Sequence, residues 1–304
     1  MLRGKVAIVT GSGRGVGQAI AKLMAKYGAQ VVVNDPGVNV DGTGHDNGPA
    51  DQTVAAIKKA GGSAVANYDS VVTFEGATNI VKTALENFGE LHVVVTAAGI
   101  LRDRMLHKMS PEEWQAVMDV HLHGTAHVCR AAINIFREQG YGRIITFTST
   151  SGLIGGWGQT NYGAAKLAIV GLTRNLAGES KDRGITVNCI APSANTRMAG
   201  TVPPLADPVE RARRLRLLER SSPNAIAPLA VYLASEQAGH ITGQVFHQRA
   251  NEISIISMPN PVRTVHCEGG WMPETIQSNA MSALKPFFTP GQRTNMVFPM
   301  IPMD

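Results

Sequence analysis

The sequence is poor in cysteine. Among 304 residues it has only Cys129, Cys189 and Cys267, and none of them has metal-ligand spacing. This argues against a disulfide-stapled secreted scaffold and predicts free thiols in a reducing, cytoplasmic compartment. No apolar run reaches the roughly 18 residues of a membrane span. We also expect no signal peptide, because Met1–Lys5 leads straight into an apolar strand.

The sequence also lacks a nucleic-acid recognition module. Its net charge is +5, and a basic balance can indicate nucleic acid, but basic and aromatic residues do not interleave. An anionic small-molecule partner therefore fits better. His121, His123 and His127 share one helical stretch, but no carboxylate or cysteine partner has ligand spacing, so we expect no metal site. The composition, 44% apolar and 17% charged, indicates a folded, soluble protein.

Glycines dominate the first turn of the chain. Residues Lys5–Thr10 form an apolar strand, Gly11–Gly17 follows directly, and Ala19–Ala25 has helical spacing. This order suits a dinucleotide, because glycines let the backbone approach the pyrophosphate and a helix N-terminus offers unpaired N–H groups. A chance glycine-rich loop is the alternative. The candidate contacts are Gly11, Arg14, Gly15, Val16 and Gly17.

An acidic residue ends the second predicted strand, Gln30–Asn34. Asp35 can accept hydrogen bonds from ribose hydroxyls and would repel a 2′-phosphate, which favours NAD over NADP. Arg14 points the other way, because it could meet a 2′-phosphate. A simple turn residue is the alternative for Asp35.

Tyr162 and Lys166 are four residues apart in a stretch of helical character. Such residues share a helix face, so the ammonium is expected to lower the phenol pKa below its usual value of about 10. The phenol could then exchange a proton with an alcohol or carbonyl oxygen. Ser149, upstream, could orient that oxygen. An exposed helical pair and a strand-end hydroxyl are the alternatives.

Short apolar stretches alternate with helical ones along the whole chain, which predicts a parallel sheet covered by helices on both faces. The further predicted strands are residues 63–67, 92–96, 143–147, 186–190 and 244–247.

Taken in order, these motifs resemble the classical short-chain dehydrogenase/reductase family over residues 1–248. Within it the chain is most similar to the (3R)-hydroxyacyl-CoA dehydrogenase unit of multifunctional beta-oxidation enzymes, the 17-beta-hydroxysteroid dehydrogenase type 4-like group, in a bacterial stand-alone form. The matching segments are Thr10–Gly17, Asn34-Asp35, Asp69, Ala98–Arg104, Val120-His121-Leu122, Ser149, Tyr162–Lys166 and Ala191–Met198.

The resemblance implies a doubly wound parallel seven-stranded sheet, the Rossmann arrangement, with NAD along the carboxyl ends of its strands. It implies hydride transfer between a secondary alcohol and a ketone, on a fatty or steroid-derived hydroxyacyl-CoA thioester, in a homotetramer or homodimer. Ser149, Tyr162 and Lys166 would be catalytic. The further cofactor contacts it implies are Asp69, Ser70, Ala98, Gly99 and Thr196, together with Tyr162 and Lys166.

The sequence departs from the family pattern at two places near the site. Thr96-Ala97 replaces an asparagine pair before Ala98, which removes an asparagine brace. His121 stands where the family has an asparagine that supports a proton relay. Because histidine titrates near neutrality, we expect that His121 could carry the relay.

Residues 1–248 are predicted to form the NAD-binding catalytic domain, with a substrate flap at about 196–222. Residues 249–304 form an extension that packs on other subunits or closes the substrate pocket. The flap is rich in arginine and could receive CoA phosphates or form a solvated helix face. Residues 36–50 form a loop beside the adenosine site, which could be passive. The flap arginines are Arg211, Arg213, Arg214, Arg216 and Arg220.

Two other functions stay open. One is a dehydrogenase of a free hydroxysteroid or similar alcohol. The other is a non-catalytic nucleotide sensor, in which Ser149, Tyr162 or Lys166 would usually be lost, although all three are present.

Overall fold

The computed structural model describes residues 1–197, 207, 221–289, 291–292 and 297–298. The strands are β1 Val6–Thr10, β2 Gln30–Asn34, β3 Ser63–Asn67, β4 Val93–Thr96, β5 Gly142–Phe147, β6 Ile185–Ser193, β7 Val245–Arg249 and β8 Glu252–Ile255. The helices that pack on them are α1 Gly15–Lys26, α2 Gly48–Lys59, α3 Phe74–Phe88, α4 Pro111–Met118, α5 Gly124–Gln139, α6 Thr150–Leu153, α7 Thr160–Glu179 and α8 Ala227–Ala234.

Shorter helical turns fill some connections and the tail. They are Leu106–Lys108, Asp119–His123, Pro223–Ala225, Glu236–Ala238, Pro273–Thr275, Ile276–Ala280, Met281–Leu284 and Lys285–Phe287. Within the described ranges, no helix is long and apolar enough to cross a membrane.

The strands form one sheet in the order β3-β2-β1-β4-β5-β6-β7-β8. Neighbours from β3 to β7 pair in parallel, which confirms the predicted doubly wound parallel seven-stranded sheet. An eighth strand, β8, pairs antiparallel with β7 and was not anticipated. A two-residue turn returns the chain here, and Ala250 adopts a positive φ of 46° in it. This turn lacks the glycine that usually signals a tight hairpin.

The central strands are buried on both faces, which explains their unbroken runs of valine and isoleucine. In β1, Ala7 and Val9 face a cluster that contains Met24 of α1. Val6 and Ile8 face the opposite cluster, to which α3 and α5 contribute Ile80, Val128 and Phe136.

The strand order reverses beside β1, whose neighbours are β2 on one side and β4 on the other. In an open α/β sheet, the loops that leave this point diverge to the two faces and leave a crevice at the carboxyl ends of the strands. The loop after β2 ends sooner than predicted. It reaches α2 at Gly48, because Pro49 fits the first turn of a helix.

Candidate active site

A cavity of about 630 Å³ lies at this carboxyl edge. With the exception of Asp69, every residue that the sequence predicted for the site lines it. These residues are Gly11, Arg14, Gly15, Val16, Gly17, Asp35, Ser70, Ala98, Gly99, His121, Ser149, Tyr162, Lys166 and Thr196.

Two glycines of the turn after β1, Gly11 and Gly17, leave no room for a side chain. Gly11 has a φ of +66°, and a Cβ atom there would lie 2.7 Å from the Cα atom of Ala98. A Cβ atom on Gly17 would overlap the carbonyl oxygen of Gly11. In the described part of the chain no side chain caps the start of α1, where Arg14 is the N-cap residue. The unpaired N–H groups at this helix end therefore suit an anionic group such as a pyrophosphate.

The Asp35 carboxylate is fixed by two backbone groups at the end of β2. Its Oδ2 accepts a hydrogen bond from the N–H of Gly13 at 2.9 Å, and its Oδ1 accepts one from Gly37 at 2.7 Å. Among the described residues, Arg14 and Arg197 also line the cavity. The Arg14 guanidinium lies 3.7 Å from the Asp46 carboxylate. Burial lowers the pKa of Arg197, with a further contribution from Arg14.

Asp69 does not line the cavity but forms hydrogen bonds next to it. Its carboxylate accepts hydrogen bonds from the amide groups of Asn67 at 2.8 Å and Asn79 at 3.3 Å. Its carbonyl oxygen accepts one from the Asn34 amide at 2.8 Å. This network ties the ends of β2 and β3 to α3, while the neighbouring Ser70 lines the cavity.

Ser149 and Tyr162 come together across the cavity from two consecutive elements. Ser149 caps α6, where its Oγ accepts a hydrogen bond from the N–H of Ser151 at 3.2 Å. Tyr162 lies in the first turn of α7. The preceding Asn161 anchors this turn, because its amide donates to the carbonyl oxygens of Arg102 at 3.1 Å and Glu113 at 3.2 Å.

Burial raises the pKa of the Tyr162 phenol to about 12. A hydrogen bond with Ser149 acts in the opposite direction, and the charge of Asp103 adds to the rise. In the chain by itself the net shift of the Tyr162 pKa is therefore upward and not downward, because burial outweighs the favourable contacts. The phenol is therefore protonated at neutral pH.

Lys166 is also buried, with 5% of its surface exposed. Its Nζ donates a hydrogen bond to the carbonyl oxygen of Phe147 at 2.8 Å, and it lies 5.7 Å from the centre of the Tyr162 ring. Burial lowers the pKa of Lys166 to about 8, against a small opposing effect from Cys189. The ammonium is therefore less firmly protonated than a surface lysine.

His121 lies under the cavity on the turn Asp119–His123. Its Nε2 lies 2.8 Å from the carbonyl oxygen of Ile100, and its ring meets the Tyr162 ring edge-on at 5.1 Å. Burial, and then the charge of Lys166, hold the His121 pKa well below its usual range, although the Ile100 contact opposes this. The imidazole is therefore neutral near pH 7, which removes titration near neutrality as the basis for a relay.

Along the described residues, no group of three histidine, cysteine, aspartate or glutamate side chains is placed to hold a metal ion. His123 and His127 instead stack on each other, with ring centroids 6.4 Å apart.

The loop after β2 belongs to the cavity wall, a role that the sequence analysis left open. Val38, Val40 and Gly42 line the cavity. The carbonyl oxygen of Val40 accepts a hydrogen bond from the N–H of Leu101 at 2.8 Å, and that of Asp41 accepts one from Arg102 Nε at 2.9 Å. The two valines were the available sign that this glycine-rich loop packs against the protein.

Part of the predicted flap, including Met198 and its five arginines, lies outside the described residues. In the tail, the Phe298 ring stacks on His247 at 3.9 Å. His247 Nε2 forms a hydrogen bond of 3.0 Å with Ser193 Oγ, and Ser193 lines the cavity. Phe298 is therefore linked through His247 to a residue that lines the cavity.

The family model described as enoyl-(acyl carrier protein) reductase matches residues 11–248. The chain belongs to the short-chain dehydrogenase/reductase family. This confirms the resemblance drawn from the motifs, and the protein is an oxidoreductase that acts on CH–OH groups. Members of this family generally use NAD(P).

Three curated relatives and one solved structure are similar to this chain over most of its length. A short-chain type dehydrogenase/reductase of Mycobacterium tuberculosis is 52% identical over 77% of this chain and 78% of its own. Hydroxyacyl-CoA dehydrogenase ChsB1 of the same organism is 36% identical over 90% of this chain and 86% of its own. Mouse peroxisomal multifunctional enzyme type 2 is 46% identical over 77% of this chain, which spans only 30% of that enzyme.

The solved structure is a short chain dehydrogenase from Mycobacterium avium. It is 37% identical and superposes with a TM-score of 0.81 over 93% of this chain and 95% of that one. The predicted fold class is thereby confirmed.

Proposed function

We propose that this protein is an NAD-dependent oxidoreductase that interconverts a secondary alcohol and a ketone on a hydroxyacyl-CoA thioester. The observation that carries the proposal is the meeting of Ser149, Tyr162 and Lys166 in the wall of one cavity, with Asp35 in the same wall beside the glycine turn. The relatives named as a hydroxyacyl-CoA dehydrogenase and a peroxisomal multifunctional enzyme support the thioester. The acyl part would be fatty or steroid-derived.

The residues present fit a dinucleotide. The turn Gly11–Gly17 leaves backbone in place of side chains beside an uncapped helix start, which suits the pyrophosphate. Asp35 would hold the adenosine ribose, with Ser70 near the adenine and Ala98 and Gly99 near the middle of the cofactor. Lys166, Tyr162 and Thr196 would contact the nicotinamide half.

The Asp35 carboxylate supports NAD rather than NADP, because its charge opposes a 2′-phosphate. Arg14, the opposing signal, lies close to Asp46.

The bound nicotinamide would supply the hydride acceptor or donor. In carbonyl reduction, the Tyr162 phenol donates its proton to the substrate oxygen while the Ser149 hydroxyl holds that oxygen in place. In alcohol oxidation the same phenol oxygen receives the proton. The Lys166 ammonium, held by Phe147, stabilises the phenolate whenever Tyr162 is deprotonated.

His121 would act as a neutral group that positions Ile100 and the Tyr162 ring. His121, predicted to be catalytic, would on these contacts be a positioning residue of the catalytic site.

We further propose that residues 1–248 form the NAD-binding catalytic domain and that 249–304 form an extension. The enzyme would work as a homotetramer or homodimer in the cytoplasm. The three free thiols support a reducing compartment.

The proposal is tested by following NADH formation with (3R)- and (3S)-hydroxyacyl-CoA esters, steroid-derived CoA esters and free hydroxysteroids. We expect turnover of CoA esters with NAD, and at least tenfold lower kcat/KM with NADP. Turnover of free hydroxysteroids alone would instead establish the alternative substrate class. Binding of NAD without turnover of any alcohol would establish a nucleotide sensor.

A further inference from the structure

Ser149 has a second serine beside it in the cavity wall. Ser151 lies two residues further along the chain, and both side chains line the cavity. The backbone N–H of Ser151 donates to Ser149 Oγ at 3.2 Å, so the hydrogen of the Ser149 hydroxyl stays available for a substrate oxygen. An unrestrained Ser151 hydroxyl would be a second donor in the same wall. Which serine donates to the substrate therefore depends on what holds the Ser151 hydroxyl.

The Ser151 hydroxyl is held by the side-chain amide of Gln159. Ser151 Oγ donates to Gln159 Oε1 at 2.7 Å. A Cβ atom on Gly156 would lie 2.8 Å from this Oε1 atom and 3.1 Å from Ser151 Oγ, so the glycine leaves room for the contact. Gln159 lines the cavity and directly precedes α7, whose first turn carries Tyr162. The contact therefore joins the segment after Ser149 to the start of the helix that carries Tyr162.

The Gln159 amide is fixed in turn by a carboxylate. Gln159 Nε2 donates to Asp103 Oδ2 at 2.8 Å. Burial of the Asp103 carboxyl group raises its pKa, and the hydrogen bond from Gln159 opposes that shift because it favours the ionised form. Asp103, Gln159 and Ser151 therefore form a row of side chains that ends in the cavity wall.

The loop that carries Asp103 is anchored on both sides of this residue. Before it, the carbonyl oxygen of Arg102 accepts a hydrogen bond from the Asn161 amide at 3.1 Å. After it, the N–H of Arg104 donates to the carbonyl oxygen of Gly158 at 2.7 Å. The backbone therefore fixes where the Asp103 carboxylate meets Gln159.

The two hydrogen bonds in this row run in one direction only. An ionised carboxylate accepts hydrogen bonds and has none to donate, so Gln159 must turn its NH2 group toward Asp103. The amide oxygen then faces Ser151 and accepts the hydrogen of its hydroxyl. With a neutral amide in place of the carboxylate, the Gln159 side chain can turn over and donate to Ser151, which frees that hydrogen.

We propose that Asp103 is a positioning residue that acts through Gln159 to keep the Ser151 hydroxyl from donating to the substrate oxygen. Of the two serines, Ser149 alone then donates to that oxygen, which holds the reacting carbon in one position relative to the cofactor. A freed Ser151 hydroxyl would bind the same oxygen in a second, unproductive position. The inference rests on the proposed function, since it concerns the substrate of that reaction.

The first test is Asp103→Asn, assayed with the best alcohol substrate and NAD. Unproductive binding lowers kcat and KM by the same factor, because part of the bound substrate cannot react. We expect both constants to fall about fivefold, the effect of one hydrogen bond, while kcat/KM stays within about twofold. Unchanged constants would overturn the inference. A fall in kcat/KM at constant KM would also overturn it, because a group that acts only in the transition state has that signature.

The double variant Asp103→Asn/Gln159→Glu should restore the unmodified behaviour. The amide at position 103 then donates to a carboxylate at position 159, which again can only accept the Ser151 hydroxyl hydrogen. We expect kcat and KM to return to within about twofold of the unmodified enzyme. Constants that stay as low as in Asp103→Asn would contradict the role of direction in these hydrogen bonds.

A second cycle separates this role from the charge of Asp103, which also acts on the Tyr162 phenol. Ser151→Ala removes the hydroxyl and keeps the N–H that donates to Ser149. On that background, Asp103→Asn should change kcat and KM by less than about twofold, because no second donor remains to be freed. An effect as large as in the unmodified enzyme would overturn the inference, since the carboxylate would then act through its charge.

Asp182→Asn is the matched control, because Asp182 is exposed and is not among the residues that line the cavity. It removes the same charge and should leave kcat and KM unchanged. Equal changes in Asp182→Asn and Asp103→Asn would overturn the inference, because net charge would then be the cause.

If the unmodified enzyme turns over no alcohol, the proposed function fails separately, and stability decides the row of hydrogen bonds. Because Gln159 contacts both other residues, Asp103→Asn should lower the urea midpoint less in the Ser151→Ala background than in the unmodified protein. A smaller loss supports the coupling of Asp103 to Ser151. Equal losses in the two backgrounds would overturn that coupling, and the inference with it.

Discussion

The Lys166 ammonium lies 5.7 Å from the centre of the Tyr162 ring, and Lys166 is buried while Tyr162 is partly buried in the cavity wall. Burial shifts the two groups in opposite directions on the pH scale, since the pKa of Tyr162 rises to about 12 and that of Lys166 falls to about 8. Each shift favours the neutral form. At pH 7 the Tyr162 phenol is therefore neutral, and Lys166 stays mostly protonated but with a smaller margin than a surface lysine.

Removal of the Tyr162 hydroxyl should abolish proton exchange and leave the cavity intact. For Tyr162→Phe we expect kcat to fall by about 10²–10⁴-fold, the usual contribution of a general acid or base. The NAD dissociation constant should change by less than about threefold, because most proposed cofactor contacts lie elsewhere. Steady-state rates and a fluorescence titration with NAD would measure the two effects. Substantial residual turnover would reject Tyr162 as the acid/base.

Replacement of Lys166 should abolish activity and raise the free energy of unfolding. Its folded-state pKa of about 8 lies below the ordinary 10.5, so protonation of the buried amine costs stability below pH 8. As pH rises from 8 to 10.5, the unfolded chain binds more protons than the folded one, and this cost disappears. Lys166→Met should therefore be inactive but about 1–2 kcal/mol more stable near pH 7, after allowance for the lost bond to Phe147.

Urea unfolding at about pH 7 and about pH 10 measures this difference. The extra stability of Lys166→Met over the unmodified protein should be smaller at about pH 10 than at about pH 7. A gain that is equal at both values would show that packing, and not the charge, causes it.

Most of the sheet could be predicted because parallel strands that are buried on both faces read as apolar runs. The predicted limits of β2 and β3 agree with the structure at both ends. The glycine turn was recognisable because a Cβ atom at Gly11 or Gly17 would collide with backbone. Each of these features depends on a local pattern in the chain.

Features that depend on burial in the folded protein could not be predicted from local sequence patterns. The i, i+4 spacing placed Lys166 beside Tyr162 correctly, but the sign of the phenol pKa shift follows from how much water the fold removes. The neutral state of His121 has the same cause. The hydrogen bond from the Leu101 N–H to the Val40 carbonyl oxygen joins segments about sixty residues apart, and no local pattern specifies such a pairing.

Two glycine-to-alanine substitutions should change the free energy of unfolding in opposite directions. Gly17→Ala places a Cβ atom against the Gly11 carbonyl, whereas the exposed Gly171 in α7 has no atom within 4 Å of that position. We expect Gly17→Ala to lose about 2–4 kcal/mol of stability and to weaken NAD binding. Gly171→Ala should gain about 0.5–1 kcal/mol, because alanine favours the helix. Thermal unfolding with and without NAD would compare them, and equal effects would contradict the packing argument.

Asp35 has two separable roles, one through its charge and one through its oxygen atoms. Its carboxylate would repel a 2′-phosphate, and it also accepts the N–H groups of Gly13 and Gly37. Asp35→Asn removes the charge but keeps one acceptor oxygen, whereas Asp35→Ala removes both. We expect either change to raise the ratio of kcat/KM for NADP to that for NAD by about 10–100-fold, since the repulsion disappears.

Stability should distinguish the two Asp35 variants. Asp35→Ala leaves both N–H groups without their acceptor and should cost about 1–3 kcal/mol, while Asp35→Asn should cost less. Initial rates with each cofactor, together with thermal unfolding, test both parts. If the ratio stays constant in both variants while stability falls, Asp35 serves only to hold the glycine turn. Arg14 and Arg197 would then be the residues to replace, because both also line the cavity.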